Sequence, residues 1–441
     1  MKYFLPPGET LATSKFIHDI PMPDATDPSG FDPTCDPDNP VCVKHESVKF
    51  ASYRIRSGII NTPCTYSKLS DSLNMKLFFK KDFLQCSGSF KERGARNILM
   101  VIKDNPDISG VIAASAGNHA LALAYHGSQL NIPVTVVMPK IAPFIKVNNC
   151  VKLGARVIVM GENINESKRY AMKLAEINKS FYVNGYDNPY ILAGQGTIGL
   201  EIMETLPDLD VLIVPVGGGG LLAGICAAYS NQKKSPRIIA VESKRASGWT
   251  TSVKAGKVAY AKSNPTIADG LAVEYVGVNS FETCLHSNVE SYAIDEKYIA
   301  KGMIHIMEYE KCVVEGGGAA SYAAILSGQI HGLEGKSVCC ILSGGNIDTT
   351  VLSRVIERGL AFDGRLHRFE VIIPDKPGSI AAISNLLTDL NASIKDIRHE
   401  RAWLVSEISN VRVRFEIETV DEEHASNIKL VLCEKYPAVF W

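Results

Sequence analysis

Lys91 stands in the stretch SGSFKERGARN, Ser87 to Asn97, between a Ser-Gly-Ser turn and a helix-like run. An amine there is either a solvated charge beside Glu92, Arg93 and Arg96 or, with its pKa lowered by burial and positive neighbours, a Schiff-base nucleophile. The segment alone favours the first use, and three glycine-rich loops bear on the choice. VPVGGGGLLAGI sets Gly217, Gly218, Gly219 and Gly220 between an apolar strand and a helix. Their converging N–H groups and the positive helix start make an anion cradle suited to a phosphate. No Lys-Ser pair follows, so it is not a nucleotide P-loop; a plain tight turn is the alternative. AASAGNHALALA repeats the geometry, and Ser115, Ala116, Gly117, Asn118 and His119 suit a carboxylate, unless Ser115 or Asn118 is merely an N-cap. CCILSGGNIDTT leaves Ser343 and Asn346 on a strand-end turn. Together these loops suggest a phosphorylated cofactor that holds a small carboxylate-bearing substrate.

Elements able to position such loops are visible along the chain. From about Ser47, β-rich runs such as SGVIAAS, PVTVVMP, ARVIVMG, DVLIVPV, RIIAVES and SVCCILSGG alternate with helix-like stretches. That alternation predicts parallel sheets covered on both faces, with ligands at the C-terminal strand ends. Residues 1–46 are rich in Pro and Asp, without helical or strand period, and read as an extended arm ordered only against the body. After Gly364 the texture becomes a βαββαβ order whose last strand is short or missing, which predicts a separate domain over 363–441.

At 441 residues the chain is long enough for two or three domains, and a net charge of -1 gives no pull towards nucleic acid or an anionic membrane. No apolar run is long enough to span a bilayer, and the N-terminus lacks signal- or transit-peptide character, which predicts a cytoplasmic protein. Eleven cysteines scattered through apolar stretches read as reduced thiols. Cys35 and Cys42 form the one close pair in a polar segment and have no Cys or His cluster beside them, so no metal site is expected.

QCSGSFKERGA, SAGNHA, AGQGTIGLEI, VGGGGLLAG, TIADGLAV and LSGGN occur in the order that resembles fold type II pyridoxal-phosphate enzymes. The likeness runs over roughly 50–360 and is closest to the threonine/serine dehydratase (ammonia-lyase) and serine racemase group. The fold it implies has two open parallel α/β subdomains, similar to tryptophan synthase β, within a catalytic domain over 47–362 whose smaller subdomain is roughly 106–187. The resemblance makes Lys91 the Schiff-base lysine and Cα base, and Phe90 the ring-stacking residue. It places Gly217 to Gly220 with Leu221 on the phosphate of pyridoxal 5'-phosphate, Asn118 on the ring hydroxyl and Ser343 on the pyridine nitrogen. Substrate contacts fall to Ser115, Ala116, Gly117, Asn118, His119 and Tyr186. The implied reaction is β-elimination of L-threonine or L-serine to a 2-oxo acid and ammonia; a serine racemase or an inactive amino-acid-binding protein is the alternative.

The chain departs from that pattern in places. Leu121 stands where Gln is frequent, and Asn184-Gly185 replaces a common His-Pro before Tyr186, which leaves substrate preference open. Glu242 and Ala246 match a cation site of some relatives, but Gly248 replaces its ligating Asp. The tail resembles an ACT domain and implies an amino-acid effector at Pro377 and Gly378, with Asn391 reading it from the other side, in a homodimer or homotetramer.

Overall fold

The computed structural model describes residues 2–10, 16–17, 19–23, 32–402 and 408–441, so part of the arm lies outside the described residues. In chain order the first strands are β1 (Lys2–Phe4), β2 (Cys64–Tyr66), β3 (Lys76–Lys80), β4 (Val111–Ala114) and β5 (Val134–Met138). They are followed by β6 (Arg156–Val159), β7 (Phe181–Tyr182), β8 (Val211–Pro215), β9 (Arg237–Ser243) and β10 (Val289–Ile294). The last are β11 (Ser337–Ile341), β12 (Leu366–Pro374), β13 (Ser393–Glu400), β14 (Asn410–Glu418) and β15 (Val439–Phe440).

Two sheets build the first compact unit, Met1–Ile347. The smaller has the order β1-β6-β5-β4-β7, and the larger β10-β9-β8-β11-β3-β2. Both are parallel except at one edge, where β1 and β2 pair antiparallel. Every residue of VTVVM in β5 and of VLIVP in β8 is buried, as a sheet covered on both faces requires. β1 is a finding the arm's texture did not predict: three residues without a period of their own are held by the ladder to β6.

The second unit, Asp348–Trp441, has an antiparallel sheet in the order β13-β14-β12-β15. β12 and β14 alternate buried and exposed residues, so one face packs on a core where Phe369 stacks between Phe415 and Trp441 at 5.2 and 5.4 Å. The final strand is present and two residues long. The helix Thr349–Phe362, counted with the catalytic segment by its sequence, belongs to this unit, where Glu357 pairs with Lys395 and the chain turns into β12 through Gly364. Among the described residues no helix is long and apolar enough to cross a membrane.

The first unit also holds a buried ion network. The helix Lys91–Ile102 carries Arg93, fully buried, whose Nε and Nη2 donate to Asp82 at 2.9 and 2.7 Å. Nη1 and Nη2 donate to Glu201 at 2.6 and 2.8 Å, and Nη1 reaches Thr197 at 3.1 Å. Lys80, at the end of β3, adds a 2.5 Å pair with Glu201. Burial, the largest single influence, would raise the pKa of Asp82, but the charge and hydrogen bonds of Arg93, with Lys80 and Thr62, together outweigh it and hold the carboxyl below its usual range. That contribution to stability is therefore present at neutral pH and lost on acidification. Arg93→Ala leaves Asp82 buried without its cation and should lower the unfolding free energy by about 3–5 kcal/mol, read from the urea midpoint. Arg93→Lys, lacking the planar fork, should fall between. A wild-type midpoint for Arg93→Ala would remove the network as the anchor of this helix.

Candidate active site

The loops singled out by sequence converge on a cavity of about 1090 Å³ in the first unit. Its walls include Phe90, Lys91, Ser115 to His119, Tyr186, Gly217 to Leu221 and Ser343. Lys91 opens its helix directly after Phe90, and its Nζ donates to Gly185 O at 2.6 Å and lies 5.1 Å from the Phe90 ring centre. The phosphate-type loop leaves β8 and enters the helix Gly220–Tyr229 through Gly219 at φ 94°, a left-handed conformation that favours glycine. At Gly218 a side chain would collide with the Tyr186 ring, which lies against the loop. No side chain caps this helix, so its first N–H groups have no side-chain acceptor.

Asn118 begins the helix Asn118–Leu130, but Gly117 is the N-cap and no side chain caps it, so Asn118 is not spent on capping. Its Nδ2 donates to Glu315 Oε1 at 2.6 Å and its Oδ1 accepts from Asn346 Nδ2 at 2.8 Å. Asn346 also donates to Ser87 O at 2.7 Å, and Phe90 N donates to Ser343 O at 2.9 Å, so the third loop ties the Lys91 segment to the Asn118 loop. Ser343 Oγ is buried with only a 3.5 Å contact to Gly317 O. A phosphorylated aromatic cofactor fits this set: a glycine anion cradle, an enclosed amine, an amide in the cavity wall held by Glu315 and Asn346, and a buried hydroxyl with spare capacity.

Glu315 is the functional-site residue that motif reading missed. It is buried in the cavity wall at the start of the helix Gly316–Leu326, and the signal was an acid set directly before a glycine run, in VVEGGGAA. The cation-site residue Glu242 has another use. Its two oxygens accept from Trp249 N and Thr250 N, both at 2.9 Å, at the start of the helix Gly248–Ala255. Pro377 and Gly378 lie in the second unit beside a cavity of about 550 Å³, with Asp375, His399 and Arg401. Asn391 does not join them: it follows the far end of the helix Ser379–Asp389, at φ 58°.

Burial drives the charged groups near Lys91 towards neutrality. Lys91 falls to about 8 through desolvation, partly opposed by the Glu315 charge. Desolvation lifts Glu315 to about 7, with Asp269 adding to the rise and Asn118 opposing it. His119, lowered to about 3 by desolvation and by Lys91, is neutral and donates through Nε2 to Val183 O at 3.2 Å, while Nδ1 has no partner. Only the neutral amine is nucleophilic, so amine-directed labelling of Lys91 in cofactor-free protein should rise with pH through about 8, below the range of exposed lysines. Glu315→Gln removes an anion that favours the ammonium and should move that midpoint lower still. Peptide mass spectrometry against exposed lysines checks both, and a Lys91 midpoint no lower than theirs would contradict the burial argument.

The family described as "Pyridoxal-phosphate dependent enzyme" matches residues 55–344. An L-threonine ammonia-lyase of Thermotoga maritima is 36% identical over 391 residues, which cover 88% of this chain and 97% of that protein. One from Geobacter sulfurreducens is 37% identical, covering 86% and 95%. Among solved structures, maize serine racemase superimposes with a TM-score of 0.67 at 32% identity, covering 73% of this chain and 99% of the other. The processed form of threonine deaminase isoform 2 from Solanum lycopersicum gives 0.66 at 30% identity, covering 73% and 95%. With its lysine, glycine cradle and buried serine gathered in one cavity, the chain belongs to the pyridoxal-phosphate dependent enzymes of fold type II.

Proposed function

We propose that this chain is an L-threonine/L-serine ammonia-lyase. The observation that carries the reading is the enclosed Lys91 amine, with a pKa near 8, held between a glycine anion cradle and the Ser115–Asn118 loop. When bound, pyridoxal phosphate supplies a carbonyl that condenses with amines and a conjugated ring that delocalises an electron pair left at Cα. Gly217 to Gly220 and Leu221 would hold its phosphate, Asn118 its ring hydroxyl, Phe90 its face, Ser343 its ring nitrogen and Lys91 the covalent link. The Ser115–His119 loop, at a helix N-terminus, receives the substrate carboxylate beside Tyr186. Lys91 Nζ, neutral above about pH 8, takes the proton at Cα. Ser343 offers a hydroxyl rather than a carboxylate, so it does not hold the ring nitrogen protonated, and expelling the β-hydroxyl relieves the charge at Cα. One water is lost in the elimination and one regained on hydrolysis of the enamine, which yields 2-oxobutyrate or pyruvate plus ammonia.

Racemisation needs a proton donor on the second face of Cα. Racemases of the resembling group carry a serine directly before the loop glycine. Ala116 occupies that place in the cavity wall and has no proton to give. The second unit is, in our reading, an ACT-like effector module. Its βαββαβ order, Gly378 at φ 92° opening a helix, and the small cavity beside Pro377 support this. β13, an eight-residue edge strand, supports pairing of two such modules in a homo-oligomer, where Asn391 would read the ligand from the partner side.

Incubation with L-threonine and L-serine should release ammonia and the corresponding 2-oxo acid, and Lys91→Ala should abolish both. Efficient formation of D-serine by the unmodified enzyme would overturn the lyase reading, whereas Ala116→Ser should gain measurable racemisation. Titration with isoleucine, valine, serine and threonine should shift kinetics or thermal stability in the full chain. The effector role falls if none does.

A further inference from the structure

The N-terminal arm reaches the cavity that holds Lys91. Asp32 accepts from Thr34 N at 3.0 Å and Thr34 Oγ1 at 2.7 Å, folding Pro33–Cys35 into one turn of 3-10 helix, and Cys35 Sγ donates to its other oxygen at 3.2 Å. The helix Val278–Leu285 holds this turn and the chain after it. Asn279 Nδ2 donates to Thr34 O and its Oδ1 accepts from Val41 N, both at 2.6 Å, while Val43 N donates to Thr283 Oγ1 at 3.0 Å. The same Asn279 amide donates to Asp187 O at 2.6 Å.

Asn184 Nδ2 donates to Cys35 Sγ at 3.4 Å, and Asn184 Oδ1 accepts from Tyr186 N and Asp187 N at 3.1 and 3.2 Å. Inside that turn lies Gly185, whose carbonyl accepts from Lys91 Nζ. A chain of contacts therefore runs from Cys35 through Asn184 and Gly185 to Lys91, and Cys35 and Pro37 themselves line the cavity. The contact also falls at Asn184-Gly185, where this chain lacks the His-Pro of the sequences it resembles.

We propose that the arm is part of the active site: Cys35 walls the space for the substrate side chain and positions the Asn184–Asp187 loop, so that it limits the bulk of side chain admitted. Burial, with Asp187 and Asp32 adding to it, pushes the Cys35 thiol far above its ordinary pKa, so it is a neutral hydrogen-bonding group and not a nucleophile. The two acids behind it, Asp32 and Asp187, are buried, which sets the wall against anionic side chains. This deepens the lyase reading and rests on it for where the side chain lies.

The test uses the full-length holoenzyme and amino acids that have no β-leaving group: glycine, alanine, 2-aminobutyrate and valine. Each is titrated against the visible absorbance of the bound cofactor, so the result does not depend on turnover. Cys35→Phe should weaken valine relative to glycine by about tenfold or more, and Cys35→Ala should shift the ratio about as far the other way. Cys35→Ser, which keeps both hydrogen-bonding roles, should preserve the wild-type rank order. A valine-to-glycine ratio within about twofold of wild type in both Cys35→Phe and Cys35→Ala overturns the proposal, as does the same result in Cys35→Ala alone where Cys35→Phe does not fold. Failure of the lyase reading would show separately, as absence of ammonia from threonine and serine while these titrations still responded.

Discussion

A guanidinium that water does not reach fixes the start of the catalytic helix. Arg93 is tolerable in the interior because Asp82 and Glu201 each meet it with paired oxygens, and removing either acid would leave the charge only half compensated. Those acids come from beyond β3 and from the helix Pro189–Thr205, so satisfying one cation binds three elements. Two residues along a helix is a rotation of about 200°. With Arg93 locked into the body, Lys91 must face the opposite way, into the cavity. The Lys91 amine is aimed into the cavity by a charge that does not line it.

Above that anchor, the site is assembled from backbone. Asn346 bonds to Ser87 O and to Asn118, and Phe90 N bonds to Ser343 O, so three strand-end loops share one set of hydrogen bonds. At two of the loop glycines, neighbouring segments approach too closely for a side chain: the Tyr186 ring fills its place at Gly218, and Glu315 fills it at Gly344. Loss of one glycine would displace a wall, not just a turn.

The loops that line the cavity were legible in the sequence where they ride on local pattern. An apolar strand, a glycine loop and a helix form a contiguous signal, and Gly217 to Gly220, Ser115 to His119 and Ser343 all carry it. Glu315 was illegible because its meaning depends on Asn118, 197 residues away in the chain. Cys35 was illegible for the same reason, since its partner Asn184 lies 149 residues on and a Pro/Asp-rich segment has no period to expose a buried side. β1 escaped notice because a three-residue strand is specified by the edge it joins. The helix Thr349–Phe362 groups with the second unit, which its amphipathic pattern could not show, since that pattern says one face is covered but not by which unit.

The distribution of positive potential explains why the amine is left free to react. Across the four segments 87–91, 115–119, 217–221 and 343–346, Lys91 is the one side-chain cation, because His119 is held neutral. Helix N-termini at Gly220 and Asn118 add positive potential to the cavity, whose wall beyond these segments also carries Lys146 and Lys168. Peptide dipoles cannot exchange protons, so they bind anions without competing for the proton on Lys91. They also act on the lysine itself. As the first residue of its own helix, Lys91 has its ammonium form opposed by the helix dipole as well as by burial. The lowered pKa of Lys91, set first by burial, is thus reinforced by the backbone geometry that gives the loops their positive potential.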